Sequence, residues 1–151
     1  MPFDAGKFCN EQRQPRTQDV PVSHLKEYFQ AGEPAAWRVR GLTGQEFSRA
    51  RFAADEYGRR VNLLEGLATA ATGAEATAIR EMLAEDAGRD IAMRMTVFTL
   101  GSMSPVADDD MARAMLRDFP VEFFRITDAS LALTGMGHEP GKSKPSGGSP
   151  E

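Results

Sequence analysis

The feature that most constrains this chain is a helix start followed by a long apolar stripe. Thr43-Gly44-Gln45-Glu46 has the form of a capping box: the Thr43 hydroxyl accepts from the Glu46 amide, and the Glu46 carboxylate accepts from the Thr43 amide. After it, Phe47, Ala54, Tyr57, Val61, Leu64 and Ala68 recur at steps of seven, three, four, three and four, which is one face of a helix. The pattern predicts a helix over 43–67. Thr72-Gly73 interrupts it. A second stripe, Ile79, Met82, Leu83, Ala87, Ile91, Met95 and Phe98, predicts a helix over 74–100. Two amphipathic helices on a short connection pack antiparallel, so the middle of the chain reads as a helical hairpin.

The flanks add shorter elements. Trp37-Arg38-Val39-Arg40 alternates apolar and charged residues, the period of a half-buried strand. Val20-Pro21-Val22 starts in a similar way, and Gly32-Glu33-Pro34 supplies turn chemistry between them. A short β-hairpin over about 20–40 follows, with His24–Phe29 open to either strand or one helical turn. Gly101–Pro105 stops the second helix. Asp108-Asp109-Asp110 places carboxylates at the positive end of a helix that carries Met111, Met115 and Leu116. Pro120 suits the first position of a further helix over 120–134, with Gly135 as its left-handed cap and Met136 folding back on the last turn. The fold class is therefore mainly α: a small helical domain with an antiparallel helix pair, a C-terminal helix and a short N-terminal β-hairpin. It occupies residues 20–137 as a single domain, between a flexible segment, 1–19, and a disordered polar tail, 138–151.

Charge narrows the function classes. Eighteen basic residues against 22 acidic give a net charge of −4, and both flanks are neutral, so the acidity belongs to the folded middle. Nucleic-acid affinity rests on cations that neutralise phosphates, so no nucleic-acid partner is expected. The longest nearly apolar stretch, Ile91–Leu100, contains Arg94 and is too short to span a bilayer. No membrane partner and no secretory signal are expected either, and the cytoplasm is the expected location.

No catalytic constellation emerges. The single cysteine, Cys9, sits in the polar lead-in without a basic partner at fixed spacing. Asp108–Asp110 lacks the glycine turn and the later glutamate of a calcium loop. His24 and His138 have no second ligand at metal spacing. The glycines form no phosphate cradle. The expectation is a non-enzyme with no catalytic, cofactor-binding or metal-binding residues and no cofactors. What remains suits binding. Seven methionines after Met1 lie on or near the apolar stripes, where they either fill a core or form an adaptable surface. Phe119, Phe123 and Phe124, with Met111 and Met115, are the candidate partner-binding residues; the phenylalanines either close the core or anchor a partner.

Trp37-Arg38-Val39-Arg40-Gly41-Leu42-Thr43-Gly44-Gln45-Glu46-Phe47 resembles the strand, Val-Arg-x-Leu-Thr, helix opening of the tail assembly chaperones of long-tailed, siphophage-type bacteriophages. Phe119–Gly137, ending Leu131-Ala132-Leu133-Thr134-Gly135-Met136-Gly137, is similar to that family's C-terminal helix, and a short polar tail also fits. The resemblance spans about residues 20–137 and does not extend to Asp108–Asp110. It implies a role in virion assembly in the host cytoplasm: binding the tape measure protein, keeping it soluble while the tail tube forms, and being left out of the mature virion. It admits the tail tube protein and further copies of the chain as additional partners. It also implies a longer, frameshifted form in many relatives; in Pro140-Gly141-Lys142-Ser143 the Gly-Lys pair is either encoded by a slippery run or an ordinary linker dipeptide. The competing readings are a small helical DNA-binding or regulatory protein and a structural tail or connector component of the virion. The first requires a basic helix, yet Arg49, Arg51, Arg59 and Arg60 share theirs with Glu46, Asp55, Glu56 and Glu65.

Overall fold

The structure, a computed structural model, describes residues 2–85 and 88–141. In chain order its elements are α1 (Ala5–Asn10), β1 (Arg13–Gln14), β2 (Thr17–Pro21), a 3₁₀ helix (Ser23–Tyr28), β3 (Ala36–Arg40), α2 (Gly44–Ala70), α3 (Ala74–Glu85), α4 (Arg89–Gly101), β4 (Ser102–Ser104), α5 (Asp109–Asp118), α6 (Pro120–Gly135) and β5 (Glu139–Pro140). The chain is mainly helical, as expected. β2 and β3 form the anticipated antiparallel pair, with Val20 opposite Trp37 and Asp19 opposite Arg38. The open segment between them resolves as the 3₁₀ helix, and Gly32, at φ 90°, makes the return turn. Along β3, Trp37 and Val39 point into the core and Arg38 points out, where it grips Asp19 at 2.8 Å.

The capping box forms as drawn. Thr43 accepts from the Glu46 amide at 3.2 Å, Glu46 accepts from the Thr43 amide at 3.1 Å, and Arg40 adds two bonds to the same carboxylate at 2.8 and 2.9 Å. Asp108 caps α5 by accepting from the Met111 amide at 2.8 Å. α2 lies antiparallel to α4, since Ala50 packs with Val97 while Asp55 meets Arg89. Its far half lies against α3 instead.

Five expectations are corrected. The helix expected over 74–100 is two helices, because Gly88 takes an extended backbone (φ −69°, ψ 166°) as the start of α4; glycine resists a helix interior through the backbone freedom it would lose. Ala87 falls outside the described residues. Ser102–Ser104, read only as a helix stop, is a third strand that pairs with β3. Gly135 stays helical, and the left-handed residue is Gly137, at φ 71°. Thr134 extends the helix: its hydroxyl donates to the Ser130 carbonyl and accepts from the Leu42 amide, tying the last turn to the α2 entry. Met136 is exposed rather than folded back. The N-terminal segment holds α1, β1 and the start of β2, and β1 pairs with β5 in the region read as tail. Neither two-residue strand has an apolar period for a sequence pattern to register. Residues 142–151 lie outside the described residues.

Two clusters make the core. The larger joins Val20, Val22, Leu25, Trp37, Val39, Phe98, Phe123, Ile126 and Leu133 with Ala107, Ala112 and Met115, so sheet, 3₁₀ helix, α4, α5 and α6 share one interior. The smaller joins Leu42, Ala50 and Val97.

Candidate functional site

An open groove of about 570 Å³ lies between the 3₁₀ helix and α5. Leu25, Tyr28 and Phe29 form one wall, Met111, Ala114, Met115 and Phe119 the other, and Trp37 lies at the base beside Ser104 and Pro105. The indole is fixed from behind: its Nε1 donates to Ser102 Oγ at 2.9 Å, and its ring packs on Phe98. Tyr28 and Phe119 meet edge to face across one end, 6.4 Å between centroids.

The 3₁₀ wall is anchored from below. Glu122, on α6, has only 1% of its side chain exposed, yet bonds His24 Nδ1 at 2.8 Å. Arg125 approaches the same carboxylate at 3.4 Å and donates to the Pro21 carbonyl at 3.3 Å. A buried carboxylate needs such partners to be tolerated, and here they tie the 3₁₀ segment to the start of α6.

The charged residues lining the groove, Glu33 and Asp118, are both acids. Arg117 holds the Asp118 carboxyl below its usual range through two hydrogen bonds at 2.8 Å. The Tyr28 hydroxyl is raised above the ordinary phenol range, chiefly by its hydrogen bond to the Glu27 carboxylate, with Asp118 adding to the negative field. The groove therefore offers aromatic and thioether surface edged by Glu33 and by Asp118 in its pair with Arg117.

Three of the five candidate partner-binding residues, Met111, Met115 and Phe119, meet in this groove. Phe123 does not: it is fully buried between Phe98 and Phe124, because α6 turns that face toward the sheet. Phe124 lies on another face beside Pro120, Val121 and Asp128, covered by the Arg94 guanidinium 4.8 Å from its ring. Arg94 also bonds Asp90, Thr127 and Asp128, stapling α4 to α6. The opposite wall of the groove was missed. Its signal lay in Leu25, Tyr28 and Phe29, apolar at helical spacing in the one stretch left open between strand and helix.

The two stretches that carry the family resemblance meet at a second joint. Gly41 lies so close to α6 that a Cβ there would stand 3.0 Å from the Leu133 carbonyl carbon. Ser130 Oγ donates to the Arg40 carbonyl at 2.7 Å, and Thr134 accepts from the Leu42 amide at 2.9 Å. Among the described residues, no three His, Cys, Asp or Glu side chains are placed to hold a metal ion, and no helix is long and apolar enough to cross a membrane. The arginines of α2 are interleaved with acids, Arg59 bonding Glu56 at 2.7 Å while Asp55 takes Arg89. No protein-family model, curated protein or solved structure matches the chain.

Proposed function

We propose that this chain is a non-enzymatic tail assembly chaperone of a long-tailed bacteriophage, which covers an apolar helical segment of the tape measure protein until tail tube subunits enclose it. The observation that carries this reading is the groove between the 3₁₀ helix and α5. It is open and lined mostly by apolar side chains, and helix-in-groove capture is how such surfaces recognise amphipathic partners. Its methionines can re-pack around partners of varied sequence. The joint of Gly41-Leu42 with Leu133-Thr134 supports the resemblance, because the two quoted stretches are one packed unit rather than separate coincidences. Work in the host cytoplasm and absence from the finished virion are parts of the same proposal.

Co-expression tests it. The wild-type chain should raise the soluble fraction of its cognate tape measure protein and co-purify with it. Tyr28→Asp, at a residue 70% exposed on the groove wall, should abolish capture while leaving the circular dichroism spectrum unchanged. Phe124→Asp, away from the groove, should leave capture intact where the fold survives. A wild-type chain that does not solubilise the partner, or that retards duplex DNA at physiological salt, would overturn the reading.

A further inference from the structure

One wall of the groove is a short helix held from two sides. The 3₁₀ helix, Ser23–Tyr28, starts after Val22 with no side-chain cap. Three residues complete a turn of such a helix, so residues three apart share a face. Leu25 and Tyr28 share one: Leu25 is buried in the core, and Tyr28 stands exposed on the groove. His24 and Glu27 share another. From that face His24 reaches α6, where its Nδ1 donates to Glu122 Oε1 at 2.8 Å.

The two attachments constrain different motions. Apolar burial is non-directional, so Leu25 fixes how deep the helix sits and leaves its roll about its own axis to another contact. A hydrogen bond is directional. Rolling the helix about Leu25 would carry His24 off Glu122 and swing Tyr28 away from Phe119, which it now meets edge to face. Arg125 is a poor substitute, because it lies 3.4 Å from the carboxylate and also serves the Pro21 carbonyl. Glu122 has 1% of its side chain exposed and His24 has 72%. A carboxylate buried that far costs stability that an apolar side chain of similar volume would not. What it supplies is direction.

We propose that His24 is a positioning residue for partner capture: held by the buried Glu122 carboxylate, it sets the roll of the 3₁₀ helix, and with it where Tyr28 and Phe29 stand along the groove. It acts through those side chains, since it does not itself line the groove. Val22 and Leu25, both buried, keep the wall on the body when the bond is lost, so the effect falls on capture rather than on folding. The inference rests on the groove being the partner site proposed above.

Three variants of the full chain test this, with fluorotyrosine replacing the two tyrosines, Tyr28 and Tyr57, as a reporter of the wall. His24→Leu keeps the bulk and removes the donor, whereas His24→Asn keeps an N–H close to the place of Nδ1. His24→Leu should shift or broaden the Tyr28 fluorine resonance and leave that of Tyr57 unchanged. It should also weaken capture of the tape measure protein by about tenfold, the scale of one lost hydrogen bond to a charged group. His24→Asn should restore the resonance and bring capture back to within about threefold of wild type. His24→Leu/Glu122→Met removes both polar partners; its denaturant midpoint should match or exceed wild type, yet it should still capture poorly. That outcome separates positioning from plain stability. An unmoved Tyr28 resonance in His24→Leu, no rescue by His24→Asn, or capture that returns together with stability in the double variant would overturn the inference. A wild-type chain that captures nothing would overturn the chaperone reading alone, and the Tyr28 resonance would still decide whether His24 sets the wall.

Discussion

Two halves of the molecule are built to different standards. The body, made of the sheet, the first half of α2, and α4 to α6, holds both core clusters, with Phe98, Phe123 and Ile126 almost wholly out of water. Among the described residues, the arm, made of α3 and the second half of α2, contributes no member to either cluster. Among these, Ala68 and Ala76 are buried, while Leu63, Leu67 and Met82 stand exposed. Helix alone does not make a core: the arm satisfies its backbone internally and leaves most of its apolar surface wet. Opening free energies vary across a structure with local burial, so the arm should come apart first.

That contrast can be broken most directly at Phe123. Phe123→Ala should cost about 3–5 kcal/mol, read as a lowered denaturant midpoint, because the body cannot collapse around the void. A loss no larger than that of an arm substitution would show that the body is not the better-packed half. Ala76→Glu should act locally, costing the arm about 1–3 kcal/mol by overpacking the seam between α2 and α3. Trp37, the only tryptophan, is buried in the body. Helical ellipticity should therefore fall at lower denaturant than Trp37 emission changes, and coincident transitions would mean that arm and body unfold as one unit.

Glu46 sharpens the comparison from the side of the body, where α2 begins. Its hydrogen bonds from Arg40, and then from the Thr43 amide, hold its carboxyl below the ordinary value of 4.5. Because the folded value is depressed, the stabilisation is complete at neutral pH and is lost as pH falls below about 4.5 and through the folded value. Glu46→Gln should cost about 1–2 kcal/mol at pH 7, and its deficit against wild type should shrink in acid. A deficit that stays constant with pH would assign the effect to shape rather than charge. The smallest effect belongs to the ends: truncation after Gly137 removes the β5 partner of β1 but no apolar burial, and should change stability by no more than about 0.5 kcal/mol.

What the residues announced depended on whether they carried a period or a cap. α2 was legible to within a few residues because Thr43 and Glu46 declare its start and Phe47 to Ala68 keep one face. Asp108 and Pro120 marked the next two starts in the same way. The break at Gly88 was not legible, because the stripe from Ile79 to Phe98 keeps nearly helical phase through it. Phe123 and Phe124 are neighbours with the same chemistry, and only the tertiary setting of α6 decides that one is core and the other lies under Arg94. Half of the groove was visible as Met111, Met115 and Phe119. The other half depended on where the 3₁₀ helix docks, which is fixed by a contact between His24 and Glu122, 98 residues apart in sequence.

The pairing of β1 with β5 has a practical corollary for anyone who joins this chain to something else. Gly141 donates to the Gln12 carbonyl at 2.9 Å, so residues near the two ends run about one strand spacing, roughly 4.8 Å, apart. Labels placed at Gln12 and at Gly141 would therefore sit side by side. A pair of fluorophores at those two positions would report on that corner and hardly at all on the arm.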